Sequence, residues 1–501
     1  MIAQTVRSHR PRPIGILATA LLLTAGTVLA GWSGLADRTA SPAPGDAASL
    51  SNPAPGEVQP GPVSVPIPGA GTAELPAGSL AQLDHNIAAW TSNLEANPLD
   101  FISATNLATL YHGRARLTAD LADHERALEA ARTAIAIAPT QAGARLLEAS
   151  ILFSLHDFPG ALAAADALYR EDPTQLGALA TRADAALELG DLEAARRDLA
   201  SLAAATSGPA VDIRLARLAA VTGDLDGALD LARRARDVAV AEGTDPGFYA
   251  YAVGEYARLA GDATTARAGF EAALEVRAGD LGALLGLARI QAFEGDLDAA
   301  MATLESAVAI APTPEAEALL GDLLAARAAA VNASATERAA DARAAATAHG
   351  TVRLSRDLSA LAGSVYDRQL VLFELDHAPT LGTAGPAAAG GGPGEANLEA
   401  ARAALAVRPD AAGHDLVGWA LHRLGRDAEA LIESAAARST GAADARTLFH
   451  AGAIAAALGD DAAARDLLTR ALALGPALDP IERAEAAAVL AALDPATMTM
   501  G

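Results

Sequence analysis

The sequence predicts an all-α chain, a solenoid of about ten helix-turn-helix pairs, and three observations carry that reading. A short phrase recurs: "LELGDLEAA" from Leu187, "AVTGDLDGA" from Ala220, "RLAGDATTA" from Arg258, "AFEGDLDAA" from Ala292 and "AALGDDAAA" from Ala456. At its Gly position the marks fall on Ala122, His156, Gly190, Gly223, Gly261, Gly295, Gly425 and Gly459, in steps of 34, 34, 33, 38, 34, 130 and 34 residues. A period near 34 is the length of a helix-turn-helix repeat. Five residues after each mark stands Ala: Ala127, Ala161, Ala195, Ala228, Ala266, Ala300, Ala430 and Ala464. The composition agrees, being rich in Ala, Leu and Arg with 3% aromatics, which supplies helices well and strands poorly.

The 501 residues would fill roughly three ordinary domains by length, but stacked repeats share one continuous core and override that division. The formal charge of -24 comes from 61 acidic against 37 basic residues, and every basic residue is Arg. Such a surface repels phosphate backbones and disfavours nucleic acid as a partner of the whole chain. With no Cys in the sequence, disulfides, thiolate metal sites and Cys nucleophiles are excluded together.

From the N-terminus, the basic stretch within residues 1–12, "RSHRPR", precedes an uncharged, mostly apolar run over residues 13–32, Pro13 to Trp32. This is the pattern of an export signal. Two outcomes stay open: a signal peptide cleaved after "VLA" (Val28 to Ala30), or an anchor of about 19 residues, just long enough to span a bilayer. Either way the bulk of the chain is expected outside the cytoplasm, in the periplasm or cell envelope, with membrane contact only through this segment. Residues 33–79 are dense in Pro, Gly and Ser; they read as an extended spacer, or as a low-complexity tail once the leader is removed.

Repeats are expected over residues 80–377. In each, Gly at the mark ends the first helix in the left-handed conformation, and the Asp that usually follows accepts from free N–H groups at the start of the next helix. The Ala five residues on faces inward, where a small side chain lets the helices cross closely. Ala235, Ala273, Ala307, Ala437 and Ala471 follow two turns later on the same face, and Pro139, Pro173, Pro312 and Pro476 close second helices. The first unit carries seven extra residues, two helical turns, between Tyr111 and Ala127. Beyond Pro312 an elongated pair is expected, then a first helix over Ser355 to Ala378. A loop over residues 378–394 is expected to break or hinge the solenoid. The C-terminal pairs span residues 395–493, the first second-helix covering Glu395 to Asp410, with a capping helix around Ile481 to Leu493 and a tail over residues 494–501.

The small residue in the first helix, the Ala near the start of the second, another small residue two turns on and the closing Pro are met by Gly254, Ala266 and Ala273, and by Gly452, Ala464, Ala471 and Pro476. In this the chain resembles the tetratricopeptide repeat (TPR) family. The resemblance implies a right-handed superhelical solenoid that binds a protein or peptide along its concave face. Carried over residue by residue, it places in that groove Leu146, Ser150 and Phe153; Asp184 and Leu187; Ile213 and Arg217; Phe248, Tyr251, Glu255 and Arg258; Leu285, Arg289 and Ala292; Asp415, Trp419 and His422; and Arg446 and Phe449. The partner-binding set drawn from these is Phe153, Asp184, Arg217, Tyr251, Glu255, Arg258, Arg289, Asp415, Trp419, His422 and Phe449. Aromatic and Arg side chains carry much of the energy at interfaces, and Arg217, Arg258 and Arg289 suit an acidic or C-terminal peptide segment. The aromatic members serve equally well as packing between pairs. The family's Lys-and-Asn clamp for a terminal carboxylate is not reproduced.

No catalytic or cofactor motif is found. "DHERAL" at Asp123 lacks the second His of a zincin helix, and "AGGGPGE" near Gly390 has neither a flanking strand nor a Lys and reads as a linker. His414 and His422 lie about 12 Å apart along one helix, so a metal there needs help from His450 or Asp415. The expected function is therefore an exported, non-catalytic binding scaffold. Its alternative is an envelope-located carrier of a metal or small ligand through the His-bearing C-terminal pairs.

Overall fold

The computed structural model describes residues 79–118, 120–329, 334–361, 368–377, 393–441 and 444–493. The expected leader and spacer up to residue 78, residues 378–392 of the expected loop and the tail lie outside the described residues. Among the described residues there are twenty-two α-helices, two short 3-10 helices and no strand. No described helix is long and apolar enough to cross a membrane.

A leading helix, α1 (Ser79–Ala96), covers the first pair, α2 (Phe101–Thr118) and α3 (Leu121–Ile137). Five regular pairs follow: α4 (Ala142–Ser154) with α5 (Phe158–Glu171), α6 (Leu176–Glu188) with α7 (Leu192–Ala205), α8 (Pro209–Val221) with α9 (Leu225–Glu242), α10 (Gly247–Leu259) with α11 (Ala263–Val276), and α12 (Leu281–Phe293) with α13 (Leu297–Ile310). An elongated pair, α14 (Pro314–Ala329) and α15 (Ala335–Leu361), ends this N-terminal arc. Then come α16 (Arg368–Asp376) and α17 (Pro393–Val407), α18 (Ala411–Arg423) and α19 (Asp427–Ala437), α20 (Ala445–Ala457) and α21 (Asp461–Ala473), and the capping helix α22 (Pro480–Ala492). Among the described residues the architecture is an all-α repeat solenoid of ten pairs.

The recurring phrase builds the same turn each time. Gly190, Gly223, Gly261, Gly295, Gly425 and Gly459 all have φ between 71° and 89°, and His156 takes φ 61° at the same place. The following Asp caps the next helix: Asp157, Asp191, Asp224, Asp262, Asp296 and Asp460 each accept a backbone N–H three residues on, at 2.9 to 3.1 Å. Arg426 takes that position in one pair and makes no side-chain cap. All eight Ala residues five beyond the marks are fully buried, as a close helix crossing requires.

Two expectations need correction. Ala122 is the second residue of α3 and not a turn residue; the extra length of the first unit extends α2 to 18 residues, against 13 in α4. Ser355 does not open a first helix, because α15 runs unbroken for 27 residues to Leu361. The first helix of the next pair begins, within the described residues, at Arg368.

The C-terminal pairs turn back onto the arc. α16 is the joint: Leu370 and Phe373 pack with Val352 of α15, while Val371 and Leu375 join the core of α17 to α22. The return is in step. A methyl placed on Gly190 would meet the Pro409 carbonyl oxygen at 2.7 Å, one on Gly441 would lie 3.5 Å from the Thr222 carbonyl oxygen, and one on Gly261 would lie 3.3 Å from the Leu474 backbone. Three connections of the C-terminal stack thus rest on three first-helix ends of the arc. Both segments advance by nearly one repeat length per connection, so one docked turn brings the next into register.

Candidate functional site

Arg217, Arg258 and Arg289, expected on the concave face, lie along this junction. Arg258, near the end of α10, donates from Nη1 to the carbonyl oxygens of Pro476 at 3.1 Å and Ala477 at 3.2 Å. Its Nε and Nη2 hold Glu255 in a bidentate pair at 2.9 and 2.7 Å. One pair further along, Arg289 of α12 donates to Asp479 from Nε and to Glu315 from Nη2, both at 2.7 Å. Burial pushes the Asp479 carboxyl upward, but the guanidinium groups of Arg289 and Arg446 outweigh it and hold the group at about 2. Arg217 pairs with Glu188, and Arg408 from the returning stack pairs with the same carboxylate. The Arg408 guanidinium also lies 4.7 Å from the centre of the Phe158 ring.

The groove expected to be open is therefore filled, along this part of the arc, by the chain's own C-terminal pairs. Several other predicted site residues are packing or local ion-pair groups. Phe153 is buried edge-to-face against Phe158 at 5.0 Å. Asp184 accepts from Arg214 at 2.8 Å, with both side chains 4% exposed. Tyr251 is buried beside Phe248 and Phe270. The sequence offered packing and binding as equal readings of the aromatics, and burial selects packing for Phe153, Trp419 and Phe449.

In the C-terminal stack, Trp419 is fully buried, stacks on His450 at 4.0 Å and donates from Nε1 to Asp376 at 2.8 Å. Burial, reinforced by the charge of Glu482, pushes the Asp376 carboxyl up to about 6. Phe449 packs against Trp419 at 5.3 Å. The histidines do not converge: His450 pairs with Asp415 at 2.9 Å, His422 with Asp427 at 2.6 Å and His414 with Glu433 at 2.7 Å. Burial disfavours the His450 cation, but Asp415 outweighs it and the net shift is upward; for His422 burial wins and the shift is downward. Nothing in this arrangement brings His414, His422 and His450 together as a metal site.

Between arc and stack lies a cavity of about 270 Å³. Its wall carries Arg258, Arg289 and Arg446 against six carboxylates, those of Glu255, Glu315, Asp322, Asp376, Asp479 and Glu482. The excess of negative charge makes it a place for a cation or for a group bearing N–H donors. Sequence reasoning missed Glu188, Arg408 and Asp479, the partners across the junction. Their signal is present but indirect: the steps between Pro409, Gly441 and Leu474 match those of the arc closely enough to let the two segments mesh.

Residues 257–323 match the tetratricopeptide repeat family model. No curated protein matches the chain in sequence. Among solved structures, the chain is similar to a tetratricopeptide repeat protein from Parabacteroides merdae, at 16% identity and a TM-score of 0.38 over 46% of this chain and 88% of that one. It is similar to PilW, a type IV pilus biogenesis factor, at 16% identity and a TM-score of 0.34 over 42% of this chain and 92% of that one. With the human IFIT1 dimer it shares 17% identity and a TM-score of 0.40 over 73% of this chain and 80% of that one.

Proposed function

We propose that this tetratricopeptide repeat protein is an exported, non-catalytic scaffold that binds an acidic segment of a protein partner through the guanidinium groups on its concave face. In the closed form its own C-terminal stack holds that surface. The supporting observation is the chemistry at Arg258 and Arg289. They take two adjacent backbone carbonyls and, three residues beyond the first, a carboxylate, all from one short segment that leads into a helix. Charge-assisted bonds of this kind are the stronger ones. A partner presenting an Asp or Glu at a helix start, preceded by an extended turn, offers the same acceptors and competes with residues 475–479.

The full chain tests this against a fluorescent peptide of residues 474–484. Asp479→Asn keeps a capping side chain at α22 but removes the charge that Arg289 holds, so the variant is expected to bind the peptide at least tenfold more tightly than the unaltered chain. Adding Arg258→Glu and Arg289→Glu is expected to abolish that binding with far-UV circular dichroism unchanged. Peptide binding indifferent to the two reversals, or no binding to a variant shown by hydrogen exchange to have released residues 474–479, would overturn the proposal.

A further inference from the structure

We infer that Asp322, His349 and His377 form a binding site for a late first-row divalent cation of the zinc class, on the wall of the cavity between the arc and the C-terminal stack. The three residues come from α14, from α15 and from the residue following α16, 27 and 55 positions from Asp322. Their ligand atoms all lie within 4.8 Å of one another. His349 Nε2 is 3.0 Å and His377 Nε2 2.7 Å from the same Asp322 Oδ1. Ligands bonded to zinc at about 2.0 to 2.1 Å in tetrahedral geometry stand roughly 3.3 Å apart, so Asp322 Oδ1 must draw back from both nitrogens to admit a cation, and further from His377 than from His349.

The surroundings orient the rings toward such a guest. His377 Nδ1 is 2.7 Å from the Phe373 carbonyl oxygen, which can only accept, so Nδ1 is the donor. The Nε2 side of the ring shares a proton with Asp322 Oδ1, and a cation that displaces this proton takes its place between ring and carboxylate. A backbone acceptor behind a metal-binding imidazole is the usual way such a ring is fixed. Phe373 stacks on His377 at 4.1 Å and meets His349 edge-on at 5.5 Å. Gly321 makes room, since a methyl there would lie 2.3 to 2.4 Å from the edge of the His349 ring. The side chains of His349, His377 and Asp322 are 15%, 13% and 11% exposed, so the ligands are shielded but reachable.

Two nitrogens and one oxygen favour zinc and its neighbours over magnesium or calcium, which prefer all-oxygen shells. Asp322 and His377 both line the cavity, so the coordination positions left over open into it and take water or a carboxylate. The cavity's surplus of carboxylates supplies the field that retains a dication.

The test is titration of the full chain, purified without an affinity tag and freed of metal, with Zn²⁺ alone. One zinc per chain is expected. His349→Ala and His377→Ala are each expected to weaken binding at least about tenfold, since loss of a mere outer-shell contact costs a metal site that much, whereas His414→Ala leaves it unchanged. X-ray absorption of the zinc-loaded unaltered chain reads the ligands without relying on any variant, and two imidazoles in the nearest shell are expected. Absence of stoichiometric binding, variants that bind as the parent does, or a shell without imidazole would overturn the inference.

Discussion

Gly190 in the arc and Gly459 in the C-terminal stack make the same turn, with φ of 77° and 79°, and meet opposite surroundings. Gly190 sits against the backbone of Pro409 and Asp410, whereas nothing lies within 4 Å of a methyl placed on Gly459. One local structure thus serves as a docking ridge in the arc and as a free edge in the stack. The concave side chains divide in the same way. Arg258 and Arg289 reach partners 218 and 190 residues away, while Asp415, Trp419 and His422 find partners on their own or neighbouring helices. A repeat sets which way a side chain points; what it meets depends on where the chain goes next.

The difference between arc and stack is lost most completely if the stack loses its own core. Trp419 is fully buried and donates to Asp376. Trp419→Ala opens a cavity and leaves a carboxylate without that bond, and is expected to cost about 3 to 5 kcal/mol. Because the stack is what covers the arc, hydrogen exchange is expected to rise over residues 393–493 and also at the ends of α6, α8 and α10, whereas α2 to α4 stay protected. Loss of protection confined to the stack would show that the arc does not depend on it.

A smaller effect sharpens the contrast between the two turns. Gly190→Ala and Gly459→Ala impose the same left-handed strain, about 1 to 2 kcal/mol, but only the first also drives a methyl to 2.7 Å from a backbone oxygen. Thermal unfolding is expected to show Gly190→Ala as the more damaging, and hydrogen exchange over residues 408–411 to rise in that variant alone. Equal behaviour of the two would mean that the contact at Pro409 does not hold the stack to the arc.

Much of this fold was legible in the sequence because its rules are local. A left-handed Gly, an Asp cap and an inward Ala act within ten residues, and so they recur wherever the phrase does. The first unit misled because Ala122 keeps the 34-residue spacing without being a turn, the added length having gone into α2. Register puts Arg217, Arg258 and Arg289 at equivalent positions of successive first helices, but it does not reveal that the stack returns against them, since that depends on α16 redirecting the chain. The triad of Asp322, His349 and His377 escaped for a related reason. Metal motifs are recognised by spacings within one helix or one turn, whereas these ligands meet only because α14, α15 and α16 lie side by side.

The smallest expected effect isolates the cap from the docking. Asp296 accepts from the Ala299 N–H at 3.1 Å, and a methyl on the neighbouring Gly295 would meet nothing within 4 Å, so the cap itself touches nothing of the stack, which meets this turn only through Phe293 at the end of α12, against Gly475 and Arg483. Asp296→Ala is expected to cost about 1 kcal/mol, the ordinary value of an N-cap, with no change in exchange at residues 474–479 or in affinity for the 474–484 peptide. Were either to change, the cap would be acting on the junction through the end of α12, where Phe293 meets Gly475. The arc would then have to be treated as an elastic whole, whose grip on the stack any of its turns can alter.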